Sequence, residues 1–200
     1  MIDAEFAGFP MVATAQTQLS LDQFLAMPET KPASEYVDGI VTQKPMPQLK
    51  HSRIQSRLCR EIDQFAEDRK IALALTELKC TFGGRSLVPD IAVVYWDNLP
   101  RDDDGELSNR FDQPPNWSIE ILSLGQAATK VMEKLIFCIN HGTELGWLID
   151  PQNRSVSTFQ PDQLPKIYLG DSPNQDPLIT SPAFREWELY ATDIFNWLQV

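Results

Sequence analysis

Two acidic residues interrupt short apolar runs that otherwise have the composition of buried β-strands. Asp90 lies in the run VPDIAVVY, residues 88–95, and Glu120 lies in WSIEIL, residues 117–122. Because a strand alternates its side chains between two faces, each carboxylate shares its face mainly with small or apolar residues. Burying a lone carboxylate there is costly unless a cation, a metal ion or hydrogen bonds compensate its charge. If the two strands pair, they predict a cation site.

The size and composition of the chain predict one globular domain. A chain of 200 residues has room for one sizeable core, and 42% apolar and 22% charged residues are ordinary for a soluble protein. Residues 1–18 show no strong periodicity, so we predict that they form a flexible N-terminal tail. The single domain is then expected over residues 19–200.

Charge and cysteine content limit the partners and the compartment that we expect. The formal net charge is -11, which opposes nonspecific binding to nucleic acid unless the protein has a local basic patch. Three cysteines without C-x-x-C spacing argue against a disulfide framework and a zinc knuckle. No apolar run approaches the roughly 18 residues that a membrane span needs, and the N-terminus is acidic. We therefore expect a cytoplasmic protein that does not enter the membrane.

Periodicity and turn signals predict a mixed β-sheet flanked by helices. Residues 36–41 predict a hairpin around Asp38-Gly39, because Asp-Gly is a strong signal for a two-residue turn. A helix over roughly residues 48–69 has an apolar stripe at steps of four, four and three. Further predicted elements are strands over residues 71–82, 87–95, 117–122, 145–149 and 155–159, and a helix over residues 127–141. Hairpins together with a helical crossover indicate an α/β (α+β) domain with a mixed central sheet.

Two carboxylates on adjacent strands, with a lysine nearby, are a common arrangement for holding Mg²⁺ or Mn²⁺ at a phosphodiester. Mg²⁺ takes oxygen ligands, typically one or two carboxylates, and keeps several waters. The ion lowers the pKa of its water and neutralises charge on the phosphate. Lys130 and Lys134 lie one and two turns into the helix after the Glu120 strand, so either ammonium can reach the level of Glu120. The spacing leaves the choice between the two lysines open.

The order of these motifs resembles that of the PD-(D/E)xK nuclease superfamily and, within it, the Uma-two type of restriction endonucleases. The resemblance extends over about residues 20–198, and the ordered series is more specific than any one motif. The motifs that support it are EYVDG (residues 35–39), His51, PDIAVV (residues 89–94), EILS (residues 120–123), Lys134, Gly142 and WLIDP (residues 147–151).

The resemblance implies a fold, a cofactor and an activity. The expected fold is a restriction-endonuclease-like core, with Mg²⁺ or Mn²⁺ bound by Asp90 and Glu120. The expected reaction is phosphodiester hydrolysis, and DNA is the expected substrate. Members of the family are often dimeric, so a homodimer is one expected assembly.

The chain departs from the pattern of these nucleases at three positions. Residue 122 is Leu where the wider superfamily has its lysine two residues after the glutamate. The resemblance implies that Lys134, on the following helix, stands in for that lysine. Lys130 replaces a frequent aspartate and Cys138 replaces the usual tyrosine. These changes leave both carboxylates in place but alter the charge expected around them.

Upstream residues give further candidates, each with a structural alternative. Glu35 is either an additional acidic member of the site or an acid in a turn. Lys50, Arg53, Arg57 and Arg60 form a basic stripe that either contacts nucleic-acid phosphates or is a solvated helix face. His51 lies beside this stripe and either contacts a phosphate or the site itself, or is simply exposed.

The two central carboxylates have structural alternatives as well. Asp90 could form a salt bridge with an arginine such as Arg85, and Glu120 could be a paired core carboxylate.

The leading hypothesis is a Mg²⁺- or Mn²⁺-dependent endonuclease that uses Asp90, Glu120 and Lys134, supported by Glu35. The alternative is a catalytically silent binding or assembly module that keeps the nuclease fold. The missing Glu-x-Lys spacing, the net charge and Lys130 favour that alternative. A metal-dependent hydrolase of a smaller phosphoester is a third hypothesis.

Overall fold

The computed structural model describes residues 19–172 and 176–199. The predicted N-terminal tail, residues 1–18, lies outside this range. All statements about the structure below concern the described residues.

The described chain forms ten strands and four α-helices. The strands are β1 (Ser34–Val37), β2 (Ile40–Gln43), β3 (Ala72–Thr76), β4 (Cys80–Phe82), β5 (Arg85–Leu87), β6 (Ile91–Tyr95), β7 (Trp117–Ile121), β8 (Leu145–Asp150), β9 (Ser155–Phe159) and β10 (Lys166–Leu169). The helices are α1 (Leu21–Leu25), α2 (Leu49–Ala66), α3 (Ala128–Asn140) and α4 (Ala191–Asn196). Within the described ranges, no helix has both the length and the apolar composition that crossing a membrane requires.

Six strands make the central sheet, in the order β10-β9-β8-β7-β6-β3. The pair β7–β8 is parallel because α3 connects the two strands as a crossover, and the other neighbours are antiparallel. The sheet is therefore mixed, as the sequence predicts.

Four shorter strands make a second, antiparallel sheet in the order β2-β1-β5-β4. Its β1–β2 hairpin turns at Asp38 (φ 49°) and Gly39 (φ 88°). Positive φ at both central residues is the geometry for which Asp-Gly is favoured, so the predicted hairpin is confirmed.

Helices cover both faces of the central sheet. In the apolar stripe of α2, Ile54, Leu58 and Ile62 are fully buried against odd-numbered strand residues such as Ile91 and Trp117, and Phe65 is partly buried. On the opposite face, Val131 and Leu135 of α3 pack against Leu148. Side chains on the two faces of a strand such as β8 therefore belong to two different hydrophobic clusters, because successive side chains of a strand point to opposite faces.

Two predicted strands are each divided between the two sheets. The predicted strand 71–82 breaks at Glu77, whose φ is 55°, and only its first half belongs to the central sheet. The predicted strand 87–95 breaks at residues 88–90, where β5 ends in the small sheet and β6 begins in the central one. Pro89 has no N–H to donate to a sheet ladder, which favours a break there. The break places Asp90 where the two sheets meet.

Candidate active site

Asp90 and Glu120 lie opposite each other on neighbouring antiparallel chains. Ile91 pairs with Ile119 and Ala92 with Ser118, so the same register puts Asp90, just before β6, across from Glu120 in β7. The Ile121 N–H donates to Asp90 Oδ2 over 2.7 Å, which ties the two chains together at this level. Each carboxylate residue is 3% exposed.

Lys134 brings a positive charge to the Glu120 side of the pair. Helix α3 runs back along the sheet and places Lys134 Nζ 2.7 Å from Glu120 Oε1. The same ammonium contacts Glu35 Oε1 and donates to the Val88 carbonyl over 3.0 Å. Lys130, one turn earlier on α3, is exposed. Of the two lysines that the sequence left open, Lys134 is the one in contact with the carboxylates.

Glu35 reaches the cluster from β1 of the small sheet. Besides contacting Lys134, its Oε1 accepts a hydrogen bond of 2.7 Å from the Val88 N–H. Glu35 is therefore a member of the charged cluster rather than a turn acid at the surface.

Lys44 is a second lysine of the cluster, and the sequence analysis did not find it. Its Nζ lies 2.6 Å from Asp90 Oδ1, 2.8 Å from the Val88 carbonyl oxygen and 3.6 Å from Glu77 Oε1. Lys44 follows β2 directly and precedes Pro45. A lone lysine between a strand and a proline belongs to no pattern that signals a site.

The first turns of α2 hold Asp90 from another side. His51 is buried, and its Nε2 lies 3.1 Å from Asp90 Oδ2, while its Nδ1 has no hydrogen-bond partner in the described structure. One turn later, Gln55 Nε2 donates to the Asp90 carbonyl over 2.8 Å. Of the alternatives that the sequence left open for His51, the structure shows it buried against the Asp90 carboxylate rather than exposed.

The two arginines of the predicted basic stripe have partners within the protein. Arg53 Nε donates to the Trp197 carbonyl over 3.0 Å. Arg57 forms an ion pair of 2.8 Å with Glu61, and its guanidinium lies 5.7 Å from the centre of the Trp197 ring. Lys50 and Arg60, on the same helix, are exposed.

Burial and charge shift the pKa values of the cluster in opposite directions. Burial alone would raise the pKa of Asp90, but the His51 hydrogen bond and the Lys44 charge hold that pKa below its usual range. At Glu120, burial outweighs the attraction of Lys134, and the Asp90 charge adds to burial, so the pKa rises to about 7.

The two lysines of the cluster are held as ammonium groups. Burial disfavours the charged form of Lys134, but the charges of Glu120 and Glu35 outweigh it and raise the Lys134 pKa. The pKa of Lys44 is also raised, because Glu120 and Asp90 outweigh burial and the repulsion from Lys134.

The positive charge that the two buried carboxylates require is therefore supplied mainly by Lys44 and Lys134. Asp90 pairs with Lys44 rather than with Arg85, which pairs with Asp38 in the small sheet. The cluster contains the carboxylates of Asp90, Glu120 and Glu35 and the ammonium groups of Lys44 and Lys134. Its formal charge is therefore -1, with His51 counted as neutral and the more exposed Glu77 left out. Lys130 is exposed, so its departure from the family pattern adds no charge contact to this cluster.

The residues present fit a small divalent cation. Within residues 19–172 and 176–199, no group of three or more His, Cys, Asp or Glu side chains has metal-binding geometry. Mg²⁺, however, commonly uses only one or two carboxylates and completes its shell with water. Asp90 and Glu120 supply that donor set from one face of the sheet. Glu120 Oε1 is buried, and the contact it makes is with the Lys134 ammonium, 2.7 Å away.

Two cavities flank the cluster. One, of about 450 Å³, is lined by His51, Asp90 and Glu120 among others, and the second, of about 470 Å³, is lined by Glu35, Glu120 and Lys134. Lys44, Pro45, Glu120 and Gln126 line both cavities. A ligand in either cavity can thus reach Glu120, and a ligand in the first cavity can also reach Asp90.

The mixed sheet with helices on both faces is that of a restriction-endonuclease-like nuclease, the class to which a similar solved structure belongs. Residues 21–192 match the Uma2 family, described as "Putative restriction endonuclease". The match spans most of the chain, and the protein belongs to this family, as the motif series predicts.

A solved structure and a search of curated proteins complete the comparison. The chain is similar to a crystal structure of "a putative nuclease belonging to DUF820" from Anabaena variabilis, with 44% sequence identity and a TM-score of 0.86. The similarity covers 90% of this chain and 99% of that one. No curated protein matches the chain.

Proposed function

We propose that the protein is a Mg²⁺- or Mn²⁺-dependent endonuclease that hydrolyses phosphodiester bonds in DNA. One observation supports this most directly. Asp90 and Glu120 face each other across β6 and β7 with the Lys134 ammonium 2.7 Å from Glu120, in a chain of the Uma2 family. The arrangement supplies two oxygen ligands and one fixed positive charge around one point.

Each residue has a defined task in this proposal. Asp90 and Glu120 would hold the cation, which would supply activation of the attacking water and neutralisation of charge on the phosphate. Lys134 stays protonated because Glu120 and Glu35 raise its pKa, so it stabilises negative charge rather than removing a proton. Glu35 fixes the position of that ammonium from the opposite side.

DNA must approach this site despite a net charge of -11. A bound divalent cation adds positive charge to the cleft, and the exposed Lys50 and Arg60 continue the basic stripe of α2. We propose that the DNA backbone approaches the site along this face of α2, which also carries His51, Arg53 and Arg57. In a homodimer two such sites could act on the two strands of one duplex.

Plasmid nicking tests the proposal. Supercoiled plasmid with Mn²⁺ should be nicked by the wild type, and Asp90→Asn should reduce the rate by about 100-fold or more, since a metal ligand and its charge are lost. Glu133→Gln is the matched control, because Glu133 lines the second cavity but is exposed on α3. Equal nicking by the wild type and Asp90→Asn would identify a contaminant and contradict the proposal.

The lysine contacts favour one alternative function, a silent binding or assembly module. Lys44 and Lys134 already neutralise much of the buried charge, so the fold does not require a metal ion to hold these carboxylates. Calorimetric titration with Mn²⁺ distinguishes the two functions. A wild-type protein that binds no Mn²⁺ and nicks no plasmid would establish the silent module.

A further inference from the structure

Lys44 combines two properties that no other cation of the described structure shares. Its ammonium is in direct contact with the Asp90 carboxylate, at 2.6 Å from Oδ1. It is also the one basic side chain among the described residues that lines both cavities. Lys134, by contrast, borders the second cavity alone and is held by two carboxylates.

The main chain of Lys44 is fixed, and its long side chain lies within reach of two different carboxylates. The Lys44 N–H donates to the Ala33 carbonyl over 2.9 Å, which anchors the residue beside the β1–β2 hairpin. A lysine side chain has four rotatable carbons, and its ammonium donates in any direction. Glu77 Oε1, 3.6 Å away and more exposed, gives the ammonium a second acceptor near the rim of the first cavity.

A divalent cation and the Lys44 ammonium compete for the same ligand. Both need the oxygens of Asp90, and two positive charges in van der Waals contact repel each other strongly in a buried site. Asp90 Oδ2 already accepts a hydrogen bond from the Ile121 N–H and lies next to His51. Asp90 Oδ1, which Lys44 contacts, is therefore the oxygen for which the cation and the ammonium would compete.

We propose that Lys44 is an exchangeable counter-ion of this site. It neutralises Asp90 until a divalent cation binds there, and the displaced ammonium then binds the phosphate of the substrate. The inference rests on the proposed function, since it assumes that Asp90 is a metal ligand. It assigns the second lysine of the cluster a task distinct from that of Lys134, which keeps its partners throughout.

The first test measures Mn²⁺ affinity by calorimetry, without any substrate. Lys44→Met should bind Mn²⁺ about tenfold more tightly than the wild type, because the competing charge is gone. Lys44→Gln keeps a polar end on the side chain and should behave in the same way if Lys44→Met does not fold. Lys130→Met removes an exposed lysine from the second cavity and should leave the affinity within about twofold.

The second test measures binding of thymidine 5′-monophosphate to protein saturated with Mn²⁺. This probe has a phosphate but no diester to cleave. Lys44→Met should weaken its binding about tenfold, because one charged ligand of the phosphate is lost, while Lys130→Met should change it little. Unchanged nucleotide affinity in Lys44→Met would overturn the phosphate contact.

The outcomes separate this inference from the proposed function. If the wild type binds Mn²⁺, Asp90→Asn does not, and Lys44→Met binds no more tightly than the wild type, the exchange is overturned while the metal site stands. If Lys44→Met gains Mn²⁺ affinity but no plasmid is nicked, the exchange stands and the nuclease activity fails. If neither the wild type nor Lys44→Met binds Mn²⁺, both are overturned.

Discussion

Lys44 and Lys134 donate to the same acceptor, the main-chain carbonyl of Val88, over 2.8 Å and 3.0 Å. Val88 is in the short crossing between β5 and β6, so the two ammonium groups meet where the chain passes from one sheet to the other. From this shared point, Lys44 extends to Asp90 and Lys134 to Glu120. The Val88 carbonyl therefore holds the two ion pairs next to each other.

Loss of the Lys134 ammonium should destabilise the protein at alkaline pH. Lys134→Met leaves Glu120 and Glu35 without their cation in a buried site, and breaking such a pair costs about 3–5 kcal/mol. We expect a decrease of that size in the free energy of unfolding, measured by urea denaturation at pH 8 without metal.

Lys130→Met is the control for this prediction. It lies on the same helix, is exposed, and should change the free energy of unfolding by no more than about 0.5 kcal/mol. Equal losses in the two variants would show that the Lys134 contacts do not stabilise the fold.

His51 should support metal binding through Asp90. His51→Ala removes the Nε2 contact with Asp90 Oδ2, and loss of such an orienting partner typically weakens metal affinity about 10- to 100-fold. Calorimetric titration with Mn²⁺ measures the change. His51→Gln, whose amide can donate to the same oxygen, should recover part of the affinity.

His141, the other histidine, provides the control. It is exposed at the end of α3, and His141→Ala should leave Mn²⁺ affinity within about twofold. A loss of affinity in His141→Ala as large as that in His51→Ala would refute a specific role for His51.

Stability should depend on pH through Glu120. Its pKa is raised to about 7 in the folded protein from an ordinary value of 4.5, because burial disfavours the charged form. Between these two pKa values the folded state thus binds more protons than the unfolded state. The stabilisation of the folded state that results is fully present below pH 4.5 and is lost as the pH rises through about 7.

The comparison is between the wild type and Glu120→Gln in the presence of a chelator. Urea denaturation across this pH range should show the wild type losing stability relative to Glu120→Gln, with a constant difference at higher pH. Parallel curves over the whole range would mean that Glu120 titrates at its ordinary pKa.

Arg57 should affect the fold more than nucleic-acid binding. Arg57→Gln removes the ion pair with Glu61 and the contact with the Trp197 ring, together worth about 1 kcal/mol of unfolding free energy. We expect fluorescence anisotropy with a labelled oligonucleotide to show a smaller loss of affinity in Arg57→Gln than in Lys50→Gln, because Lys50 is exposed. The reverse order would identify Arg57 as the main phosphate contact.

Local sequence patterns predicted much of the fold and the orientation of the acidic pair. The Asp-Gly hairpin and the apolar stripe of α2 depend on contacts between residues close in the chain, and both are confirmed. Side-chain alternation also placed Asp90 and Glu120 on single faces of their strands, and the register of β6 and β7 brings them together.

The family resemblance implied Lys134, but the sequence did not predict where strands change sheets or that Lys44 contacts a carboxylate. Residues 87–95 were predicted as one strand, and although Pro89 favours a break, the division between the two sheets before Asp90 appears only in the structure. Lys44 is 46 residues from Asp90, a separation at which no local period operates.

The sequence alone thus indicated that two carboxylates would be buried among apolar residues of strand-like runs and would need compensating charge. The physical reason is local, since strand alternation and apolar neighbours are both visible in the chain. Only the tertiary structure decided that Lys44 and His51 contact Asp90, because the segment after β2 and the first turn of α2 meet Asp90 through packing alone.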